Sequence, residues 1–108
     1  MNRGAMNGLL KQAQKMQKEM ERVQANLVNI KVQGTAGGGM VNVTANAAQQ
    51  VLEVKIAPEV VDPADVEMLE DLVLAAVNQA LINAKTTAEK ELAQVTGGMM
   101  PGLGKMGF

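Results

Sequence analysis

The segment LVNIKVQGTAGGGMVNVTANAAQQVLEVKI, residues 27–56, decides the fold, because its apolar residues recur at every second position. Three such runs are present, at residues 28–32, 41–45 and 52–56. The glycine-rich stretch GTAGGG separates the first two, and a polar turn at residues 46–50 separates the last two. Three short consecutive strands, each apolar on one side only, predict an antiparallel meander.

The segment before these strands follows a helical period instead. Its apolar residues alternate at steps of three and four, which is the heptad pattern of a helix with one apolar seam. The pattern predicts a helix over residues 9–27 whose seam packs against a partner, and a helix of that length favours a second copy of the chain as that partner. The seam residues are Met6, Leu9, Ala13, Met16, Met20, Val23, Leu27 and Ile30.

A second helical pattern follows the strands and has a broad apolar face between residues 66 and 95. Asp62 is predicted as its N-cap, with Pro63 at the first helical position. Gly97 and Gly98 are predicted to end it. The order is therefore helix, three-stranded antiparallel meander and long helix, an α+β fold whose helices cover one sheet face. Residues 1–96 are predicted as a single domain and residues 97–108 as a flexible tail rich in Gly and Met.

Composition excludes most catalytic chemistry. The chain has no Cys, His or Ser, so the usual nucleophiles, the commonest general base and the preferred zinc ligands are all missing. The glycine-rich stretch lacks the lysine and the following helix of a phosphate-binding loop. We expect it to be a flexible or sharply turned connection between strands, where glycine tolerates positive φ. Helix capping and the helix dipole explain Asp62, Asp65 and Glu67. The adjacent Glu70 and Asp71 point in different directions on a helix and do not face one another. We expect no enzymatic activity, cofactor, metal or small-molecule substrate.

The chain also lacks a membrane span and a signal peptide, so we expect a soluble cytosolic protein. Its formal net charge of -1 conceals two opposite regions. Residues 1–31 carry six cations against two carboxylates, whereas residues 53–71 carry seven carboxylates against one lysine. Such segregation favours either a polyanion bound to the first region or docking between oppositely charged surfaces.

Four cations, Lys11, Lys15, Lys18 and Arg22, follow each other at spacings of four, three and four, on the helix face opposite the seam. We call this set the basic row. One interpretation is a solvated surface with local Lys15–Glu19 and Lys18–Glu21 pairs. Another is contact with a phosphate backbone without reading of sequence. A helix lying on an anionic membrane is disfavoured, because the sheet and the second helix compete for its seam.

Four ordered blocks make the chain recognisable. LLKQAQKMQKEM at 9–20, GTAGGGMVNVT at 34–44, IAPEVVDPADVEMLEDLVLAAVNQA at 56–80 and TGGMMPGLGKMGF at 96–108 resemble the YbaB/EbfC family of bacterial nucleoid-associated proteins. The resemblance implies a small α+β homodimer with helices projecting from a central sheet assembly. It also implies binding of duplex DNA with limited sequence preference and association with the nucleoid in the cytoplasm.

We therefore predict a nonenzymatic DNA-binding homodimer that acts mainly through phosphate contacts and can influence DNA shape and gene expression. A protein-interaction adaptor that uses the apolar seam and the acidic second helix is the alternative. Charge placement predicts the DNA-binding residues Lys11, Lys15, Lys18, Arg22, Arg3, Lys31, Lys85 and Lys90. The two apolar helix faces predict the dimer-interface residues Met16, Met20, Val23, Leu27, Leu69 and Val73.

Overall fold

The computed structural model describes the backbone of residues 3–99 and the side chains of residues 4–96. It confirms the predicted α+β order of helix, three-stranded antiparallel sheet and long helix. Short 3-10 turns at Leu27–Asn29 and Pro58–Val60 flank the sheet. The elements are α1 (Arg3–Asn26), β1 (Lys31–Ala36), β2 (Val41–Asn46), β3 (Val51–Ile56) and α2 (Val66–Met99).

The sheet has the order β1-β2-β3, with β2 in the centre and both pairings antiparallel. Val43 lies opposite Gly34 on one side and Val54 on the other, and a bulge shifts the β2–β3 register between Thr44 and Ala45. Because directly opposed residues project to the same sheet face, the apolar residues of all three strands share one face. The main core lies there, where α2 covers β1 and β2 with the fully buried Val41, Val43, Ala45, Ala76 and Ala80.

The close approach of α2 to the sheet depends on Gly34. A Cβ atom at this position would lie 2.8 Å from Ala80 Cα and would also collide with the backbone nitrogen of Ala80 and the carbonyl oxygen of Ala76. Gly34 itself lies within β1, and residues 37–40 of the glycine-rich stretch form the connection from β1 to β2. Gly37, Gly38 and Gly39 have φ of 63°, 66° and 93°, which confirms the expected positive φ.

A second, smaller core joins α1 to the far half of α2. Val23 of α1 and Leu27 of the following 3-10 turn are buried there with Ala47, and Leu92 and Val95 of α2 pack against them. The predicted seam is therefore divided along its length. Its C-terminal part packs within the chain, whereas Met6 and Leu9 near its N-terminal end are 48% and 67% exposed.

The β2–β3 turn holds the end of α1 in place. The Ala47 backbone N–H donates to the carbonyl oxygens of Leu27 (3.2 Å) and Ile30 (2.8 Å). The turn itself is closed by Asn46, whose Nδ2 donates to Gln50 Oε1 at 2.7 Å and whose Oδ1 accepts from the Gln50 backbone N–H at 3.0 Å. Asn46 is only 2% exposed, so these bonds satisfy a buried polar side chain.

Both predicted ends of α2 are wrong. The helix begins at Val66, and the side chain of Asp65 accepts from the Met68 backbone N–H (3.2 Å) as its cap. Asp62 instead accepts from the Ala64 backbone N–H and closes a turn before the helix. At the other end α2 continues through both glycines to Met99. Residues 100–108 of the predicted flexible tail lie outside the described residues.

Candidate nucleic-acid interface

The basic row lies along the outer surface of α1. All four of its side chains are exposed. Their spacing confines them to a strip about 60° wide on the helix circumference, because consecutive residues turn by about 100°. The strip points away from the part of α1 that packs on α2, so it can approach a large polyanion without disturbing the core.

Lys15 and Arg22 also border a groove between α1 and the end of α2. The groove has a volume of about 480 Å³, and its apolar part includes Met16, Val23 and Val95. Glu19 and Glu91 line it as well, so its two cations are balanced by two carboxylates. The groove is therefore not an anion site in itself, and the cationic surface is the outward face of α1.

Arg22 is the one member of the basic row that forms an ion pair within the described residues. Its Nη2 and Nε donate to Glu19 Oε2 at 2.8 and 3.2 Å. This hydrogen-bonded guanidinium, and secondarily its charge, hold the pKa of the Glu19 carboxyl below its usual range, with a smaller contribution from Lys15. The Lys15–Glu19 and Lys18–Glu21 pairs of the solvated-surface interpretation are not formed in this part of the chain.

The acidic region lies far from the basic row. Most of its carboxylates occupy the approach to α2 and its first two turns, up to Asp71. The groove reaches α2 at Glu91, 20 residues later, which corresponds to about 30 Å along the helix axis. The Debye length at physiological ionic strength is about 8 Å, so the acidic end of α2 is screened from ligands at the row. The carboxylates of the acidic region therefore do not oppose binding of a polyanion at α1.

The weaker cation candidates are dispersed. Lys31 is exposed at the start of β1, and Lys85 and Lys90 are exposed on α2, where neither lines the groove. The side chain of Arg3 lies outside the described residues. The structure thus brings together the four residues of the basic row and does not add the other candidates to them.

An uncovered apolar surface lies on the opposite part of the molecule, between β3 and α2. Val54 and Ile56 project to the sheet face that α2 covers elsewhere, yet they are 42% and 38% exposed. An opening of about 480 Å³ is lined by Ile56, Leu69, Glu70, Val73, Leu74 and Val77. We call this surface, together with Val54, the β3–α2 face. It includes the predicted interface residues Leu69 and Val73.

The other predicted interface residues lie on α1 and at the start of the 3-10 turn that follows it. Val23 and Leu27 are each 8% exposed and already packed within the protomer. Met16 and Met20 are half-buried and retain surface for a further contact. Their participation in a dimer stays a prediction. The exposed apolar side chains of β3 did not enter the predicted interface, although alternation had placed them on one sheet face.

Across residues 3–99, no cluster of three or more acidic side chains is arranged to hold a metal ion. Neither α1 nor α2 has a stretch apolar and long enough to span a lipid bilayer.

A basic helix on a small α+β scaffold has the features of a protein that binds the phosphate backbone of a nucleic acid. Comparison with known families gives the same class: the sequence model of the YbaB/EbfC DNA-binding family matches residues 1–99. The chain belongs to this family. The predicted family, and with it a DNA-binding protein rather than an enzyme, is confirmed.

Named relatives share about half of their residues with the chain. A nucleoid-associated protein of Acetivibrio thermocellus is 53% identical over 102 residues, covering 93% of this chain and 90% of the relative. One of Ruminiclostridium cellulolyticum is 50% identical over 102 residues, covering 93% and 89%. Among solved structures, an uncharacterized protein from Helicobacter pylori matches with a TM-score of 0.61 at 21% identity, covering 93% of this chain and 98% of that one. The structural likeness supports the fold.

Proposed function

We propose that the protein is nucleoid-associated and binds duplex DNA as a homodimer, through phosphate contacts of the basic row and with limited sequence preference. The observation that carries the proposal is the exposed row of four cations on α1. The groove that Lys15 and Arg22 border reaches α2 at Glu91, about 30 Å along the helix axis from Asp71. Relatives of about 50% identity are nucleoid-associated proteins, which supports a location on the bacterial nucleoid in the cytoplasm.

Lysine suits this task because its flexible side chain neutralises a phosphate without requiring a particular base. Four cations on each of two protomers give up to about eight phosphate contacts. Neutralising that number of phosphates releases counterions, so affinity falls by about 10³–10⁵ between 50 and 200 mM salt. Limited sequence preference follows, since phosphates are the same at every base pair.

The β3–α2 face is the surface we propose for dimerisation. β3 is an edge strand with all six residues exposed, whereas the other edge strand, β1, receives a hydrogen bond from Asn83 Nδ2 to the Gln33 carbonyl oxygen (2.6 Å). An exposed apolar edge strand beside an apolar helix face is a liability unless another chain covers it. A second copy supplies the same apolar surface and so completes the core on both sides of a two-fold axis.

The test compares two variants of equal net charge by fluorescence anisotropy of a labelled duplex at 50 and 200 mM salt. The first variant replaces the four residues of the basic row by Gln. The matched control replaces four exposed cations elsewhere, Lys31, Lys55, Lys85 and Lys90, by Gln. Both are first checked for helix content by circular dichroism and for mass by light scattering.

We expect the first variant to lose most of its affinity and salt dependence. Each phosphate contact that is removed makes the slope of log affinity against log salt concentration shallower by about 0.9. The control should retain most of both. Equal losses would show that net charge, and not the basic row, governs binding. A wild type that does not bind DNA at 50 mM salt would instead favour the adaptor.

A further inference from the structure

Glu19 is a carboxylate placed among the cations of the basic row. It follows Lys15 by one helical turn and precedes Arg22 by three residues. Its Oε2 accepts two hydrogen bonds from the Arg22 guanidinium, at 2.8 and 3.2 Å, while the two side chains are 43% and 66% exposed. The same hydrogen bonds, and secondarily the charge of Arg22, lower the pKa of the Glu19 carboxyl.

The three lysines of the row differ from Arg22 in this respect. Within the described residues none of them is within ion-pair distance of a carboxylate. Arg22 is also the row's only guanidinium, the group that binds a phosphate through two parallel N–H donors. Carboxylate and phosphate oxygens require the same donors, so a phosphate can take Nε and Nη2 together only when Glu19 releases them. While the pair persists, Nη1 is the one guanidinium nitrogen that is not bonded to Glu19.

We propose that Glu19 is an internal competitor for DNA phosphate at Arg22 and thereby limits the affinity of the basic row. The inference rests on the proposed function, since it requires the row to contact DNA. Binding at Arg22 then consists of an exchange, in which the guanidinium leaves Glu19 and takes a phosphate. The released carboxylate remains beside the DNA and repels it. Glu19 therefore opposes DNA binding in two ways, by competing for Arg22 and by repelling the DNA, although it is not itself a DNA ligand.

Glu21 provides a matched control. It has the same chemistry, lies on the same helix, and is turned by about 200° from Glu19. In the described part of the chain it forms no ion pair. Glu19→Gln and Glu21→Gln change the net charge equally, and both place a good helix former at a solvent-accessible site, so the fold should be retained in each.

The experiment measures affinity for a labelled duplex by anisotropy from 50 to 200 mM salt. We expect E19Q to bind roughly three- to tenfold more tightly than wild type, since it removes an ion pair and a repulsive charge together. Its slope of log affinity against log salt concentration should stay close to that of wild type, because Arg22 takes a phosphate in both proteins. E21Q should bind within about twofold of wild type. In a chain carrying Arg22→Gln, the gain from E19Q should fall to that of E21Q, because the competition for Arg22 is gone and only the removal of a repulsive charge remains.

Equal gains for E19Q and E21Q would overturn the inference, because general charge would then explain both. Weaker binding by E19Q would also overturn it and would assign Glu19 to holding Arg22 in its binding position. Both results leave the proposed function standing, since wild type still binds DNA. Absence of binding by wild type would refute the proposed function and this inference with it.

Discussion

Replacing Gly34 by Ala should destabilise the protein far more than a single methyl group suggests. The added Cβ would lie 2.8 Å from Ala80 Cα and still closer to two other backbone atoms of α2, whereas ordinary contacts begin near 3.4 Å. No side-chain rotation relieves this overlap, so α2 must move outward by roughly 1 Å. That movement separates Ala76 and Ala80 from β1 and β2, where both are fully buried.

Overpacking of a core costs about 1–3 kcal/mol and occasionally more. Because all the obstructing atoms here belong to a helix backbone, we expect a loss of ~3 kcal/mol in the free energy of unfolding. A protein of this kind has ~5–15 kcal/mol in total. With an m-value of ~1–3 kcal/mol/M, the urea midpoint should fall by roughly 1–3 M.

Far-UV circular dichroism at one fixed protein concentration is the suitable assay, because the chain has no Trp or Tyr and a dimer's stability depends on concentration. Gly8→Ala is the control: Gly8 lies in α1, and a Cβ there meets nothing within 4 Å. It should stabilise the protein by up to about 1 kcal/mol through helix propensity. A Gly34→Ala midpoint within 0.3 M of wild type (about 0.5 kcal/mol) would refute the close helix–sheet approach.

Three further substitutions test other parts of the structure. Asn46→Ala removes both side-chain hydrogen bonds to Gln50 and should lower the free energy of unfolding by about 1–2 kcal/mol, measured by urea unfolding. Amide hydrogen exchange at Gln50 should become faster, and unchanged exchange would contradict the assigned turn. Asp65→Ala removes the α2 cap and should lower the free energy of unfolding by about 1 kcal/mol, whereas Asp65→Asn keeps the accepting oxygen and should lower it much less. Equal losses for the two variants would contradict the assigned cap. Ile56→Glu places a charge on the β3–α2 face and should yield monomers in light scattering, while the control Glu53→Gln on the other sheet face should remain dimeric. A dimer that survives Ile56→Glu would move the interface elsewhere.

Sequence patterns predicted those features that depend on neighbouring residues alone. Alternation over residues 28–56 predicted three strands, because one-sided burial imposes a period of two. The helical steps of residues 6–30 predicted α1 and its apolar side. The glycines between β1 and β2 were expected at positive φ, because a residue without a Cβ adopts that conformation at little energetic cost. The ordered family blocks predicted the class of protein.

Choices between two equivalent local solutions were not predictable in this way. Asp62 and Asp65 both precede an apolar helical pattern, and only the path of the chain decides which one caps α2. Glu19 has a cation on each side at helical spacing, and side-chain rotamers decide in favour of Arg22. The seam of α1 showed that one side needs a partner, but a period cannot tell whether α2 or a second chain provides it.

The division of the α1 seam has a mechanical consequence. α1 is clamped at its C-terminal end by the second core and by the Ala47 hydrogen bonds, while its N-terminal end has exposed apolar residues and little support. It is therefore a cantilever, whose bending displacement grows with distance from the clamp. Arg22 stands at the fixed root, and Lys11 lies about 16 Å farther out, close to five base-pair steps. In the proposed complex, the row would meet DNA with one fixed end and one compliant end, which would let a single helix follow duplexes of different curvature.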